Sequence, residues 1–170
     1  MGSIHVGCDV CQVAAIEEML RGEESALAKI FLRGEREYAM AQGRPAQHLA
    51  GVFAAKEALA KAVRDPALLG AYYQEVTVSH RENGSPDLLL SERLTASFSA
   101  EGIRVADLSI SHDGDYAVAA VIVERGRLQC DRCLLTLASL QEQGIADALI
   151  PVVLQNGQRA YRCPVCMRGW

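Results

Sequence analysis

The segment Phe53-Ala54-Ala55-Lys56-Glu57-Ala58-Leu59-Ala60-Lys61 constrains this chain more than any other. Laid on a helix at about 100° per residue, it extends an apolar stripe made by Leu49, Val52, Phe53, Leu59, Ala60 and Val63. Lys56 falls in the middle of that stripe. Glu57 lies on its flank, and Lys61, one turn on, shares Glu57's face. An unpaired ammonium in apolar surroundings costs several kcal/mol, so Lys56 needs a partner or a route to water. Two readings satisfy this: a snorkelling lysine beside an i to i+4 surface pair, or a charge held for a purpose.

The rest of the chain is organised around that helix. Ile4 to Cys11 alternates like a strand, with Ile4, Val6, Cys8 and Val10 as the expected core face and the Asp9 carboxylate directed away from it. A strand-end aspartate that caps the next helix is the ordinary explanation of Asp9. Residues 13–42 read as two or three short helices with breaks at Gly22, Gly34 and Gly43. The long helix starts after the Gly43-Arg44-Pro45 turn and is stopped by Asp65-Pro66. Strands over 74–79 and 86–90 flank Asn83-Gly84, a strong hairpin signal. A helix from about Ser91 to Ala100 leads to a strand from Ile103 to Ser111, the turn His112-Asp113-Gly114-Asp115, and a returning strand from Tyr116 to Val123. This order is α+β.

After Glu124 the composition changes, which divides the chain into a domain over 1–124 and a small module over 125–170. With 170 residues, half of them hydrophobic, the chain can bury a core in the first and append the second. A helix near 137–147 and a small hairpin with Asn156-Gly157 at its tip are expected in the module. No apolar run reaches membrane-span length and the N-terminus lacks a signal-peptide form, which predicts a cytoplasmic protein. The net charge of −4 gives no general attraction to nucleic acid or an anionic membrane.

Six cysteines in such a compartment argue for metal or chemistry before disulfides. Cys8 and Cys11 sit three apart on a strand, where their side chains point to opposite faces, and read as structural. Cys130, Cys133, Cys163 and Cys166 form two CxxC knuckles, and the span between them is ample to bring the second to the first. Tetrahedral Zn2+ prefers this thiolate set, and the module has too little apolar content to fold unaided. Binding of zinc contributes about 10–16 kcal/mol in small modules. A disulfide pair or an iron–sulfur cluster is the alternative.

Several segments, in one order, resemble a known family. Leu49-Ala50-Gly51-Val52-Phe53-Ala54-Ala55-Lys56-Glu57-Ala58 is similar to the LAGRFAAKEA segment of holo-(acyl carrier protein) synthases, the short class of 4'-phosphopantetheinyl transferases. Val6-Gly7-Cys8-Asp9-Val10 resembles their IGxDI, Asn83-Gly84-Ser85-Pro86 their NGxP, and Ser109 to Asp113 with Tyr116 to Ala119 their SISHDxxYAVA. The likeness runs from about Ile4 to Glu124. It implies transfer of the phosphopantetheine arm of coenzyme A to a serine of an apo acyl carrier protein, with release of adenosine 3',5'-bisphosphate. It implies Mg2+ carboxylates at Asp9 and Glu57 and a phosphate-contacting lysine at Lys61. Lys56 is the neighbouring motif lysine, with a structural role open to it. Glu57, or water it holds, is the implied base. His112 and Asp113 fall near the nucleotide end of coenzyme A, and Gly84 and Pro86 on its adenine side. A homotrimer with sites between subunits is also implied.

The chain departs from that pattern at four places. Val52 replaces the motif arginine, and Arg64-Asp65-Pro66-Ala67 replaces the GTG loop, where Arg64 can substitute in part. Gln12 stands for the usual glutamate, and Ala15 for the arginine that helps dock the carrier. The first helix is mostly acidic, with Glu17, Glu18, Glu23 and Glu24 against Arg21, and would repel an acidic carrier. The expectation is an active transferase in which Arg125, Arg127, Arg132, Arg159, Arg162 and Arg168 of the module supply the missing basic surface. Packing between subunits is the plainer role for the module. A lapsed domain that still binds coenzyme A or a carrier, and an adaptor built on the zinc module, are the readings from other classes.

Overall fold

The computed structural model describes residues 3–64, 72–126, 149–153 and 159–167. Two compact units divide the chain, the larger being Ser3–Arg125 and the smaller containing residues from Gly126 onward.

The larger unit opens with β1 (Ser3–Gln12), followed by α1 (Val13–Arg21), α2 (Glu24–Ile30) and α3 (Arg33–Met40). The break at Gly22 is as expected, but the next one falls at Phe31-Leu32, and Gly34 lies inside α3. The Glu35 carboxylate causes the shift, because it accepts the Leu32 backbone N–H at 2.8 Å and starts the helix there. The central helix α4 (Pro45–Val63) begins with proline in its first turn, where the missing N–H costs nothing. It ends at Arg64, whose φ of 61° is left-handed. Asp65-Pro66, the expected stop, lies outside the described residues.

After α4 come the hairpin β2 (Val76–His80) and β3 (Pro86–Leu90), then α5 (Glu92–Ala100), β4 (Ile103–Asp113) and β5 (Tyr116–Arg125). The β2–β3 turn needs Gly84 at φ 81° and is held by the Asn83 Oδ1, which accepts from Ser85 N at 3.0 Å. β1, β5 and β4 form an antiparallel sheet in that order, with Asp9 opposite Ala119 and His112 opposite Ala117. This is the expected α+β arrangement.

α4 is buried nearly all round, and the single stripe predicted for it is too narrow a description. Besides Leu49, Val52, Leu59 and Val63, it buries Ala46, Ala50, Ala54, Ala55, Ala58 and Ala62. The alanines let backbones approach. At Gly7 of β1 an added Cβ would overlap backbone atoms of Ala58 and Ala62, so strand and helix meet with no side chain between them.

That contact reverses the predicted face of β1. The side against α4 carries Gly7, Asp9 and Cys11, whereas Ile4, Val6 and Val10 are 70%, 58% and 59% exposed. Only small or narrow side chains fit under a helix this close, so the larger apolar ones point outward. Across the ladder the same outward face carries Tyr116, Val118 and Ile122. Cys8 is exposed and Cys11 buried, on opposite faces as expected, and burial with the nearby Asp9 pushes the Cys11 thiol up to about 11.

Lys56 is fully buried and fully satisfied. Its ammonium donates to Glu35 Oε2 at 2.8 Å, to Ile30 O at 2.9 Å and to Tyr73 O at 2.8 Å. Glu35 in turn accepts from Val78 N at 2.8 Å through its other oxygen. Burial pushes the Lys56 amine below the ordinary lysine range, and the Glu35 carboxylate opposes that shift.

In the smaller unit, β6 (Ile150–Val153) pairs with β7 (Arg159–Arg162), and the helical turn α6 (Pro164–Met167) follows. The hairpin is the expected one. Its Asn156-Gly157 tip, the helix expected over 137–147, and Cys130 and Cys133 lie outside the described residues.

Because Lys56→Met leaves the Glu35 carboxylate buried without its counter-charge, it should lower unfolding free energy by about 3–5 kcal/mol. Adding Glu35→Gln removes the orphan charge and should recover part of the loss. Urea unfolding of both variants checks this, and additive losses would deny the coupling.

Candidate active site

The close contact at Gly7 carries Asp9, two residues on, to the side of β1 that faces α4. There its carboxylate meets Lys61, whose Nζ lies 2.5 Å from Asp9 Oδ1. Glu57, one turn before Lys61 on α4, completes the group; it accepts a short hydrogen bond from the hydroxyl of Tyr73. Lys61 feels Asp9 first and Glu57 and Cys8 more weakly, and its amine is held above the ordinary lysine range. The Tyr73 phenol is pushed up by burial, then by its bond to Glu57 and by the charges of Glu57 and Asp9. Asp9, Glu57, Lys61 and Tyr73 are therefore one electrostatic cluster. Tyr73 had no signal in the sequence: it follows the helix–strand connection and belongs to no periodic face.

The chemistry of this cluster is that of hard oxygen donors. An ammonium already sits on Asp9, in the place a cation would take. Among the described residues no three His, Cys, Asp or Glu side chains are gathered as a complete metal cage. Two carboxylates suit Mg2+, which keeps several waters and takes its remaining ligands from substrate phosphates.

Further up the same helix a cavity of about 170 Å³ opens. Gly84, Pro86 and His112 line it, as do Val52, Ile110, Tyr38, His48 and His80. Gly51 makes room for this wall, since a Cβ there would lie 2.9 Å from both His112 Nε2 and Ile110 Cγ2. Tyr38 stacks on His80 with ring centroids 4.5 Å apart, and His48 and His112 are 6.0 Å apart. Burial, then the neighbouring His112 and His80, lowers the His48 imidazole below its ordinary range. Tyr38, His48 and His80 lie on three separate elements, so no local spacing announces them.

The other predicted residues are placed as follows. Asp113 is exposed at the end of β4 and is not part of the cavity lining. Arg64 is exposed at the left-handed end of α4. Cys163 is buried just after β7 and Cys166 is partly buried in the next helical turn, where Met167 N donates to Cys163 O at 3.0 Å.

The model of the 4'-phosphopantetheinyl transferase superfamily matches residues 5–121. The chain is 36% identical to the holo-[acyl-carrier-protein] synthase of Caldanaerobacter subterraneus subsp. tengcongensis over 123 residues, 72% of this chain and 96% of that protein. It is 38% identical to that of Trichlorobacter lovleyi over 120 residues, 70% of this chain and 95% of the relative. Among solved structures, the ACPS-CoA complex from Chronobacterium ammoniagenes is similar with a TM-score of 0.63 at 32% identity, covering 74% of this chain and 99% of that one. A holo-(acyl-carrier-protein) synthase from Bacillus anthracis in complex with CoA (3',5'-ADP) has a TM-score of 0.59 at 30% identity, over 74% of this chain and 100% of its own.

Proposed function

Since the chain belongs to the 4'-phosphopantetheinyl transferase superfamily and is a holo-(acyl carrier protein) synthase within it, we propose that it moves the phosphopantetheine arm at the Asp9–Glu57–Lys61 cluster, using Mg2+. The observation that carries this reading is the convergence of those three side chains, brought from opposite ends of the fold by the contact at Gly7. In the reaction, the carrier serine oxygen bonds to the phosphorus next to the pantetheine arm. The bond from that phosphorus to the bridging oxygen breaks, and its electron pair leaves with adenosine 3',5'-bisphosphate. A divalent ion held by Asp9 and Glu57 would supply neutralisation of charge on the diphosphate oxygens.

The chain's own groups do the rest. Lys61, half exposed, can turn from Asp9 to a phosphate oxygen. Tyr73 fixes the rotamer of Glu57 through one oxygen, and Glu57 accepts the serine proton. Gly84, Pro86 and His112 receive the nucleotide in the cavity. Val52 lies in the cavity wall and Glu57 about 8 Å further along the helix axis, so one extended ligand can reach both.

The exposed sheet face of Ile4, Val6, Val10, Tyr116 and Val118 supports a homotrimer, because a patch this apolar on a free monomer is an aggregation hazard. For residues 126 onward we propose a zinc module closed by Cys130, Cys133, Cys163 and Cys166. Cys163 and Cys166 fit, as thiols set at a strand end and in the following helical turn. Its arginines provide the basic surface for an acidic carrier that α1 lacks.

Incubation with coenzyme A, Mg2+ and apo carrier should add the arm to the serine, read by mass spectrometry. Asp9→Ala and Glu57→Ala should each slow transfer by about 100-fold or more, and undiminished transfer would sink the assignment. Val6→Glu should shift sedimentation from trimer to smaller species. Removal of residues 126–170 should abolish bound zinc and raise KM for the carrier more than for coenzyme A; equal kinetics would exclude the docking role.

A further inference from the structure

The cavity carries its basic groups only as imidazoles. His48 comes from α4, His80 from β2 and His112 from β4, and among the described residues no lysine or arginine lines the wall. Val52, on the same wall, offers no charge at all. The rings are close: His48 to His112 at 6.0 Å, and both His80 and His48 on Tyr38 at 4.5 and 6.1 Å.

The acids near these rings are already committed. Glu35 of α3 also lines the cavity, but its oxygens accept from Leu32 N, Val78 N and Lys56 Nζ. Arg81, next to His80, is paired with Asp87 at 3.0 Å. Tyr38, the remaining polar side chain of the lining, is a phenol and adds no carboxylate. A proton placed in this cluster therefore meets a lining carboxylate whose charge is already paired with Lys56, and it meets two other imidazoles. Burial and the two neighbouring rings disfavour a proton on His48, and an anion in the cavity would relieve that.

Coenzyme A has phosphates in two places, and the diphosphate belongs with Lys61 and the carboxylates, about one and a half to two and a half turns along α4 from Val52. The remaining phosphate is the 3'-monoester on the ribose. Resting on the coenzyme A reading of the site, we propose that His48, His80 and His112 form the subsite for that monoester and draw its counter-charge from proton uptake. The two histidines His48 and His80 then do the work that a fixed guanidinium at Val52 would do. Binding holds the imidazole protons, so affinity rises as pH falls through the ordinary imidazole range; a monoester, with a second pKa of about 6, stays mainly dianionic over most of that span.

The test is calorimetric titration of the full chain with coenzyme A and with dephospho-coenzyme A, at about pH 7.5 and about pH 6.5, from a unit above the ordinary imidazole midpoint down to it. The ratio of the two affinities should rise about fivefold on acidification, against a ceiling of about tenfold per proton taken up. In His48→Gln/His80→Gln the ratio should fall severalfold and lose most of its dependence on pH, with only the part owed to His112 remaining. Placing Val52→Arg in that double variant should restore the preference without restoring the pH dependence. His80→Gln alone, at an exposed position, carries the same test if the double variant fails to fold by circular dichroism. A ratio that is flat with pH in the native chain, or unchanged in the variants, overturns the subsite. Arm transfer with a flat ratio overturns the subsite alone; a shifting ratio without transfer overturns the activity and leaves the subsite standing.

Discussion

At Gly7 the first strand rests on the central helix with only backbone between them, and the position of the acidic cluster follows from that contact. An extended strand places residues two apart on one face, so Asp9 must face the helix if Gly7 does. On the helix, Ala58 and Ala62 receive Gly7, and the residues just before each of them are Glu57 and Lys61. Any side chain at position 7 would push the strand from the helix and separate Asp9 from Lys61 and Glu57. Smallness here serves electrostatics, since two acids and a lysine remote in sequence are held within reach of one another by a missing Cβ.

A second staple works on the other side of the helix. Lys56 ties the end of α2, the start of α3 and the Tyr73 carbonyl to α4, and through Glu35 it reaches the Val78 amide of β2. Tyr73 is the residue whose hydroxyl holds Glu57, while Tyr38 and His80, carried by α3 and β2, form the cavity wall. The buried ion pair thus braces both the tyrosine that holds Glu57 and the elements that form the cavity, whose wall Glu35 itself joins. Desolvating two charges is expensive, and three hydrogen bonds to the ammonium with three to the carboxylate are what make it tolerable.

Much of this was legible because local chemistry repeats itself. Asn83-Gly84 could only be a tight turn, Gly43-Arg44-Pro45 marked the start of the central helix to within a residue, and a lysine inside an apolar stripe had to find a partner. The identity of that partner was not legible: Glu35 is one acid among 21 acidic residues, and nothing near it distinguishes it. The face of β1 was misread for a related reason. Alternation shows that two faces differ, and greasiness usually marks the inner one, but a helix packed at backbone distance selects for small residues instead. Gly7 and Cys11 are inside because they are narrow; Ile4, Val6 and Val10 are outside because they are not. The histidine cluster was invisible for the simplest reason, that three turns of the fold separate its members.

The substitution at Val52 looks like a loss when the central motif is read alone, yet the fold supplies imidazoles around the same cavity. A guanidinium is charged whether or not a ligand is present, and an unliganded cavity lined by one must hold that charge against its apolar walls. An imidazole need not impose that cost: at His48, burial and then the neighbouring His112 and His80 disfavour the charged form. The cavity wall can therefore be apolar at Val52 and Ile110, packed against Gly51, and still meet a phosphate. What the proposed arrangement would give up is constancy, since the charge on an imidazole follows the proton concentration and that on a guanidinium does not.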